Sequence, residues 1–129
     1  MIELELPYPP SLNHHYRFIG NRVLLSHEGL AYREEVREIV KKTGMDPMRE
    51  QLTAGIDLFT PDGRRRDDDN GAIVIAYSLK PLFDALENAR VFKNDWQVKR
   101  LVAELCGIVP GGKAIVRIDR YERREGPGA

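Results

Sequence analysis

The run Arg64-Arg65-Arg66-Asp67-Asp68-Asp69-Asn70 sets three guanidinium groups directly beside three carboxylates. A guanidinium fork grips phosphate at two points. A carboxylate cluster holds a hard, oxygen-seeking cation, Mg²⁺ above all, with Mn²⁺ as a substitute. Both capabilities at one point in the chain indicate phosphodiester chemistry on nucleic acid. Alternate side chains of an extended stretch share a face, so Asp67 and Asp69 are expected to face a common site while Asp68 points away. Further on, Phe92-Lys93-Asn94-Asp95-Trp96-Gln97-Val98 offers another carboxylate beside a basic residue. A helix and a turn are expected to return Asp95 to the same edge of the sheet and complete an acidic triad of Asp67, Asp69 and Asp95. Such a triad suits metal-assisted hydrolysis, in which a bound cation lowers the pKa of an attacking water.

Each of these features has an ordinary structural rival. The Asp run is also a solvated turn, with Asp69 or Asn70 capping the next helix. Asp95 also reads as a cap before Trp96-Gln97-Val98. Arg64, Arg65 and Arg66 also read as a solvated run that neutralises the neighbouring acids. Lys80 offers a point charge near a scissile phosphate, or is a solvated helix lysine. His14, His15 and Arg17 follow a Pro-rich turn and are candidates for a DNA-facing loop. The two histidines are not a zinc signature, because adjacent side chains diverge on a strand. Trp96 reads as a packing residue rather than a base-stacking platform.

Composition bounds the rest. The 129 residues include 20 basic and 20 acidic side chains, so any basic surface must come from local clustering. The single cysteine, Cys106, excludes an internal disulfide and a cysteine-based zinc cluster. The start Met1-Ile2-Glu3-Leu4-Glu5 is unlike a signal peptide, and no apolar stretch approaches the roughly 20 residues of a membrane span. These features predict a cytoplasmic protein with one domain over residues 1–121 and a disordered tail over 122–129.

The elements that must position the chemistry follow from periodicity. Ile2, Leu4 and Leu6 alternate with Glu3 and Glu5 as a strand that Pro7 ends. Phe18-Ile19 and Arg22-Val23-Leu24-Leu25 flank Gly20-Asn21, a hairpin turn. Ser26 is an N-cap, Tyr32, Val36, Ile39 and Val40 form a helical stripe, and Gly44 is the C-cap. Leu52, Ala54, Ile56 and Leu58 form a strand that runs into the Arg/Asp stretch. Ala72, Ile75, Leu79, Leu82, Phe83 and Leu86 predict a helix from Gly71 to Ala89, kinked near Pro81. The alternative starts that helix at Ser78 and leaves Ile73-Val74-Ile75 as strand or loop. Leu101, Ala103 and Leu105, then Ala114, Val116 and Ile118, are two strands, with Val109-Pro110-Gly111-Gly112-Lys113 as a hairpin loop between them. The predicted order is β-β-β-α-β-α-β-β, an α+β domain with two main helices against a mixed or antiparallel sheet.

Two separated blocks of this chain resemble the RusA family of Holliday-junction resolvases. The first is Leu6-Pro7-Tyr8-Pro9-Pro10-Ser11-Leu12-Asn13-His14-His15-Tyr16-Arg17, similar to the family's opening strand, Pro-Pro-Ser turn and Asn-bearing loop. The second comprises Arg64 to Asn70, then Lys80-Pro81-Leu82-Phe83-Asp84-Ala85-Leu86, then Asn94-Asp95-Trp96-Gln97-Val98. These resemble the family's Arg-Arg-Asp-x-Asp-Asn, Lys-Pro-x-x-Asp-Ala-Leu and Asp-x-Gln-Val elements in order, and the similarity spans nearly the whole chain. The resemblance implies a small homodimeric, Mg²⁺-dependent endonuclease of α+β fold that nicks four-way DNA junctions, of a kind often encoded by phages and prophages. It assigns the essential carboxylates to Asp67, Asp69 and Asp95, the functional lysine to Lys80, and the basic residue before the first Asp to Arg66. Three departures stand out. Gly71 to Leu79 separate Asn70 from Lys80, where the family usually has two residues. The excess, about two helical turns, preserves the facing of later residues but moves Lys80 about 10 Å along a helix axis. Asp68 also stands where an apolar residue is common, and Asn94 where a second Asp is common. The rival function class is a non-catalytic module on the same scaffold that binds branched DNA or a phage protein, with the apolar Ala72–Tyr77 segment as a new interface.

Overall fold

A computed structural model describes residues 1–62 and 71–123 of the chain. The elements are β1 (Ile2–Leu6), α1 (Leu12–His15), β2 (Tyr16–Ile19), β3 (Arg22–Leu25), α2 (His27–Thr43), β4 (Leu52–Thr60), α3 (Gly71–Asn88), β5 (Val98–Ile108) and β6 (Lys113–Arg120). A 3-10 turn, Asp95–Gln97, leads into β5. This is the expected α+β order with one addition, the single turn of α1.

The main sheet has four strands in the order β1-β6-β4-β5. It is mixed: β4 runs parallel to β5, while β6 is antiparallel to both β4 and β1. Along β4 buried residues alternate with partly exposed ones, so Leu52, Ala54, Ile56, Leu58 and Thr60 face inward. Leu4 and Leu6 of β1 and Ala114, Val116 and Ile118 of β6 join them in one core. Two helices cover that face. Helix α2 contributes Tyr32, Val36 and Val40, and α3 contributes Leu82, Phe83, Ala85 and Leu86. The open face of the sheet carries ion pairs instead, such as Arg117 to Asp57 at 2.8 Å. Strands β2 and β3 form a separate antiparallel hairpin with Phe18 and Val23 mostly exposed.

Local signals place the helix ends. The Ser26 hydroxyl accepts from the Gly29 amide at 3.0 Å, capping α2. Gly44 closes the same helix with φ 68°, a left-handed conformation that suits glycine. Helix α3 starts at Gly71 and keeps Pro81 inside it, which decides between the two readings of residues 71–81. Its β-branched stretch is helical because Ile75 and Leu79 pack against the core.

One connection differs from expectation. Val109 to Lys113 do not join neighbouring strands, because β4 lies between β5 and β6. The turn passes over the end of β4, where the Val109 amide donates to the Thr60 carbonyl at 2.9 Å. Gly112, at φ 69°, makes the crossing possible; a Cβ there would sit 3.0 Å from the Phe59 carbonyl oxygen and 2.9 Å from Tyr8 Cβ. A Pro-Gly-Gly turn serves a hairpin or a crossing equally well, so turn chemistry alone does not reveal strand order. No helix among the described residues is long and apolar enough to cross a membrane.

Candidate functional site

The connection from β4 to α3 holds Arg64, Arg65, Arg66, Asp67 and Asp69, all of which lie outside the described residues, as do 124–129 of the expected tail. The two anchors of that connection are described. Asp62 follows the carboxyl end of β4. Gly71 opens α3 close to β5, where a Cβ would meet Leu105 Cδ1 at 3.8 Å. Leu105 pairs with Leu58, near that same end of the sheet.

Asp95 lies at the other end. It opens the turn before Val98, and Val98 pairs with Leu52, the first residue of β4. Two rulers give the separation. The 18 residues of α3 span roughly 26 Å. The seven steps from Val98 to Leu105 span about 23 Å along β5. Contrary to expectation, the helix and turn therefore bring Asp95 to the end of the sheet opposite Asp62 and Gly71. Parallel strands start at the same end of a sheet, so the crossover helix must carry the chain the full length back.

The turn around Asp95 is held without its carboxylate. Gln97 Oε1 accepts from the amides of Lys93 and Asn94, both at 2.9 Å. Gln97 Nε2 donates to the carbonyls of Met48 and Glu50, both at 3.0 Å. Asp95 is exposed, and among the described residues its carboxylate has no hydrogen bond or ion pair. That leaves its oxygens available as donors for a hard cation. Trp96 is 69% exposed, so it is not the packing residue expected. The core at this corner is filled by Val91 and Phe92 instead. Lys80 is exposed and nine residues into α3, about 14 Å along the axis from Gly71.

The three residues expected on a DNA-facing loop divide. His14 and Arg17 are exposed. His15 is fully buried and has no surface to offer a nucleic-acid backbone. Its Nε2 lies 3.0 Å from Asp84 Oδ2. The same carboxylate accepts two bonds from Arg33, Nε to Oδ2 and a terminal nitrogen to Oδ1, both at 2.8 Å. His15 Nδ1 has no partner, and a proton on Nε2 leaves a lone pair there rather than an orphaned N–H. Burial pushes the Asp84 carboxyl up, but the Arg33 and His15 hydrogen bonds outweigh it and hold it below the ordinary carboxylate range. The bond to Asp84 raises Arg33 in turn. Burial, then the Asp84 charge, raises the Tyr16 phenol.

This hub ties α1, α2 and α3 together, and sequence reasoning missed it. Its signal was present: His15 sits in the first motif block and Asp84 in the Lys-Pro-x-x-Asp-Ala-Leu element. A second missed group lies on the open face of the sheet. Ligand atoms of Asp57, Glu104 and Cys106 lie within 4.8 Å of one another, an acidic group that could hold a metal ion. Asp57 already serves Arg117 at 2.8 Å, so a cation there competes with a fixed positive charge.

Comparison with known proteins shows the family. Residues 7–119 match the family model described as Endodeoxyribonuclease RusA. The chain is 34% identical over 118 residues to the crossover junction endodeoxyribonuclease of Enterobacteria phage HK97, covering 91% of this chain and 92% of that protein. It is 35% identical over 111 residues to the proteins of the same name from Shigella sonnei and Escherichia coli K12, covering 85% of this chain and 87% of each relative.

Proposed function

The chain belongs to the RusA family of endodeoxyribonucleases, and we propose that it nicks four-way DNA junctions as a Mg²⁺-dependent homodimer in the cytoplasm. The observation that carries this reading is identity of 34% or more to crossover junction endodeoxyribonucleases over most of both chains. In it Asp67, Asp69 and Asp95 hold the ion, which Mn²⁺ can replace. The ion's contribution when bound is to stabilise charge on the scissile phosphate and to acidify the attacking water. Arg64, Arg65 and Arg66 grip the DNA backbone, with Lys80, Arg17 and His14 as further contacts. Junction shape and phosphate placement, rather than base sequence, set most of the selectivity.

A dimer is part of the mechanism for a geometric reason. Two peptide units keep the Cα of Asp69 within roughly 7 Å of Gly71. Two carboxylates that share a Mg²⁺ ion need their Cα atoms within roughly 11 Å, given Mg–O bonds near 2.1 Å. About 23 Å along β5 separates the Gly71 level from Val98, so this reading takes the Asp69 and Asp95 of one site from different chains. A two-fold partner removes the problem. Strand β5 is the edge of the sheet, with Leu101, Val102 and Ile108 exposed. Antiparallel pairing of that edge with a second copy carries Asp95 to the end where the other copy's chain leaves β4. Ile73 and Tyr77, exposed one turn apart on α3, add apolar surface for such contact.

The test uses a synthetic four-way junction with Mg²⁺ and an Asp69→Asn variant. Symmetric nicks by the unaltered protein that vanish in the variant are expected. Junction binding without nicks by both proteins favours the non-catalytic module instead. Affinity should fall steeply with added salt, because each phosphate contact releases counterions.

A further inference from the structure

The corner of the molecule around Trp96 forms a groove of about 650 Å³, lined among others by Arg49, Glu50, Arg90, Lys93 and Lys99. Four of these side chains are cationic and one is acidic. We propose that this groove seats one unpaired nucleotide of the branched DNA, its base stacked on Trp96 and its phosphates on the surrounding cations. The inference rests on the nuclease reading above and adds to it a role that the acidic residues do not supply.

Three observations carry it. The first is the exposed indole. At 69% it is more exposed than Phe18 or Tyr77, and it stands in a concave basic surface. Stacking platforms inside positively charged grooves are how proteins hold unpaired nucleotides without reading sequence. A paired base offers no free face to such a ring, whereas a base at a branch point does. The volume lies within the roughly 300–1,000 Å³ of small-ligand sites, enough for one nucleotide.

The second is that the groove is built and held. Gln97 bonds both its walls, through the Lys93 and Asn94 amides on one side and the Met48 and Glu50 carbonyls on the other. The Met48 amide donates to the Val91 carbonyl at 2.9 Å, which ties the same two segments again. Arg90 has φ 65°, a left-handed conformation where glycine is usual, so the chain keeps a strained arginine on the groove wall. The third is position. Trp96 adjoins Asp95, so a base on the indole brings its own backbone beside a carboxylate assigned to the ion. The groove thus holds the strand at the branch while the neighbouring phosphate meets the acids.

The chain has one tryptophan, so its fluorescence reports on this ring alone. The experiment titrates the Asp69→Asn protein with a short oligothymidylate, a blunt duplex of equal phosphate number, and a four-way junction. Quenching by the oligothymidylate and the junction, but not by the duplex, is expected. Trp96→Ala should weaken oligothymidylate binding about tenfold, with Trp96→Phe recovering much of it, as base–aromatic stacking predicts. Lys93→Ala and Lys99→Ala should each lower the salt slope of binding by about one. Unchanged fluorescence and unchanged Trp96→Ala affinity, in a protein that still nicks junctions, would overturn the groove and leave the nuclease standing. Quenching by an acidic peptide as strong as that by oligothymidylate would also overturn it. Stacking without any nicking by the unaltered protein keeps the groove and removes the nuclease reading.

Discussion

Mixing two inactive variants should restore activity if each site takes Asp69 from one subunit and Asp95 from the other. The separation behind this is set by the parallel pair. Gly71 stands beside Leu105, Val98 beside Leu52, and about 23 Å of β5 lies between those levels. Asp69→Asn homodimers then have no intact site, and neither do Asp95→Asn homodimers. A mixed dimer has one site with both substitutions and one with neither. Random exchange of equal amounts makes half the dimers mixed, so about one quarter of all sites are intact. The assay is nicking of one labelled strand of a four-way junction after the two proteins are unfolded and refolded together. About one quarter of the unaltered rate is expected, against none for either variant alone. Activity no higher in the refolded mixture than in its components refutes the shared-site argument. Within one chain each mixed dimer would carry one damaged residue per site, and mixing could not help.

Further perturbations test the scaffold. Asp84→Asn should cost about 3 kcal/mol at pH 7, since it strips charge from a carboxylate bonded to Arg33 and His15. The Asp84 carboxyl is held below its unfolded value, so its contribution is full above the unfolded pKa and fades as pH falls through the folded one. Denaturant titrations should therefore show the gap between the two proteins closing below about pH 4, and a gap that stays constant to pH 2 would contradict the ion-pair account. Gly29→Ala puts a Cβ 2.5 Å from the His15 carbonyl oxygen and 2.9 Å from Leu25 Cγ, with backbone on the near side. It should destabilise by about 2–3 kcal/mol in urea, and a loss under half that would mean the α1–α2 contact yields freely. Arg90→Gly removes the left-handed arginine at φ 65° and should raise Tm by roughly 2–5 °C while weakening junction binding. A lowered Tm would show that Arg90 is not strained.

What the chain discloses at short range was legible. The Gly20-Asn21 turn, the Ser26 cap and the Gly44 closure are each decided by a few adjacent residues, and the structure has each of them. The alternation at Leu52 to Leu58 likewise reports burial on one face directly. Three expectations differ from the structure where the answer depends on residues far away. The 109–113 turn reads as a hairpin because nothing local says that β4 intrudes. His15 reads as a candidate for a DNA-facing loop because its partner, Asp84, is 69 positions along the chain. Trp96 reads as a packing residue, although Val91 and Phe92 already fill that corner.

The placement of Asp95 is a deeper case of the same limit. A triad read from spacing assumes that the acids converge within one chain. Whether they do depends on the direction of the strand after the helix, which no motif encodes. An antiparallel return would have put Asp95 at the edge where β4 ends; the parallel register of β4 with β5 puts it at the other. The motif blocks are tied together by His15, Arg33 and Asp84, which fix the three helices relative to one another. Asp95 has no such tie among the described residues. The hub orders the subunit, and in the proposed dimer a two-fold partner completes the chemistry. A monomer folded in every detail would then be inactive, so dilution that separates subunits should abolish nicking before it alters secondary structure.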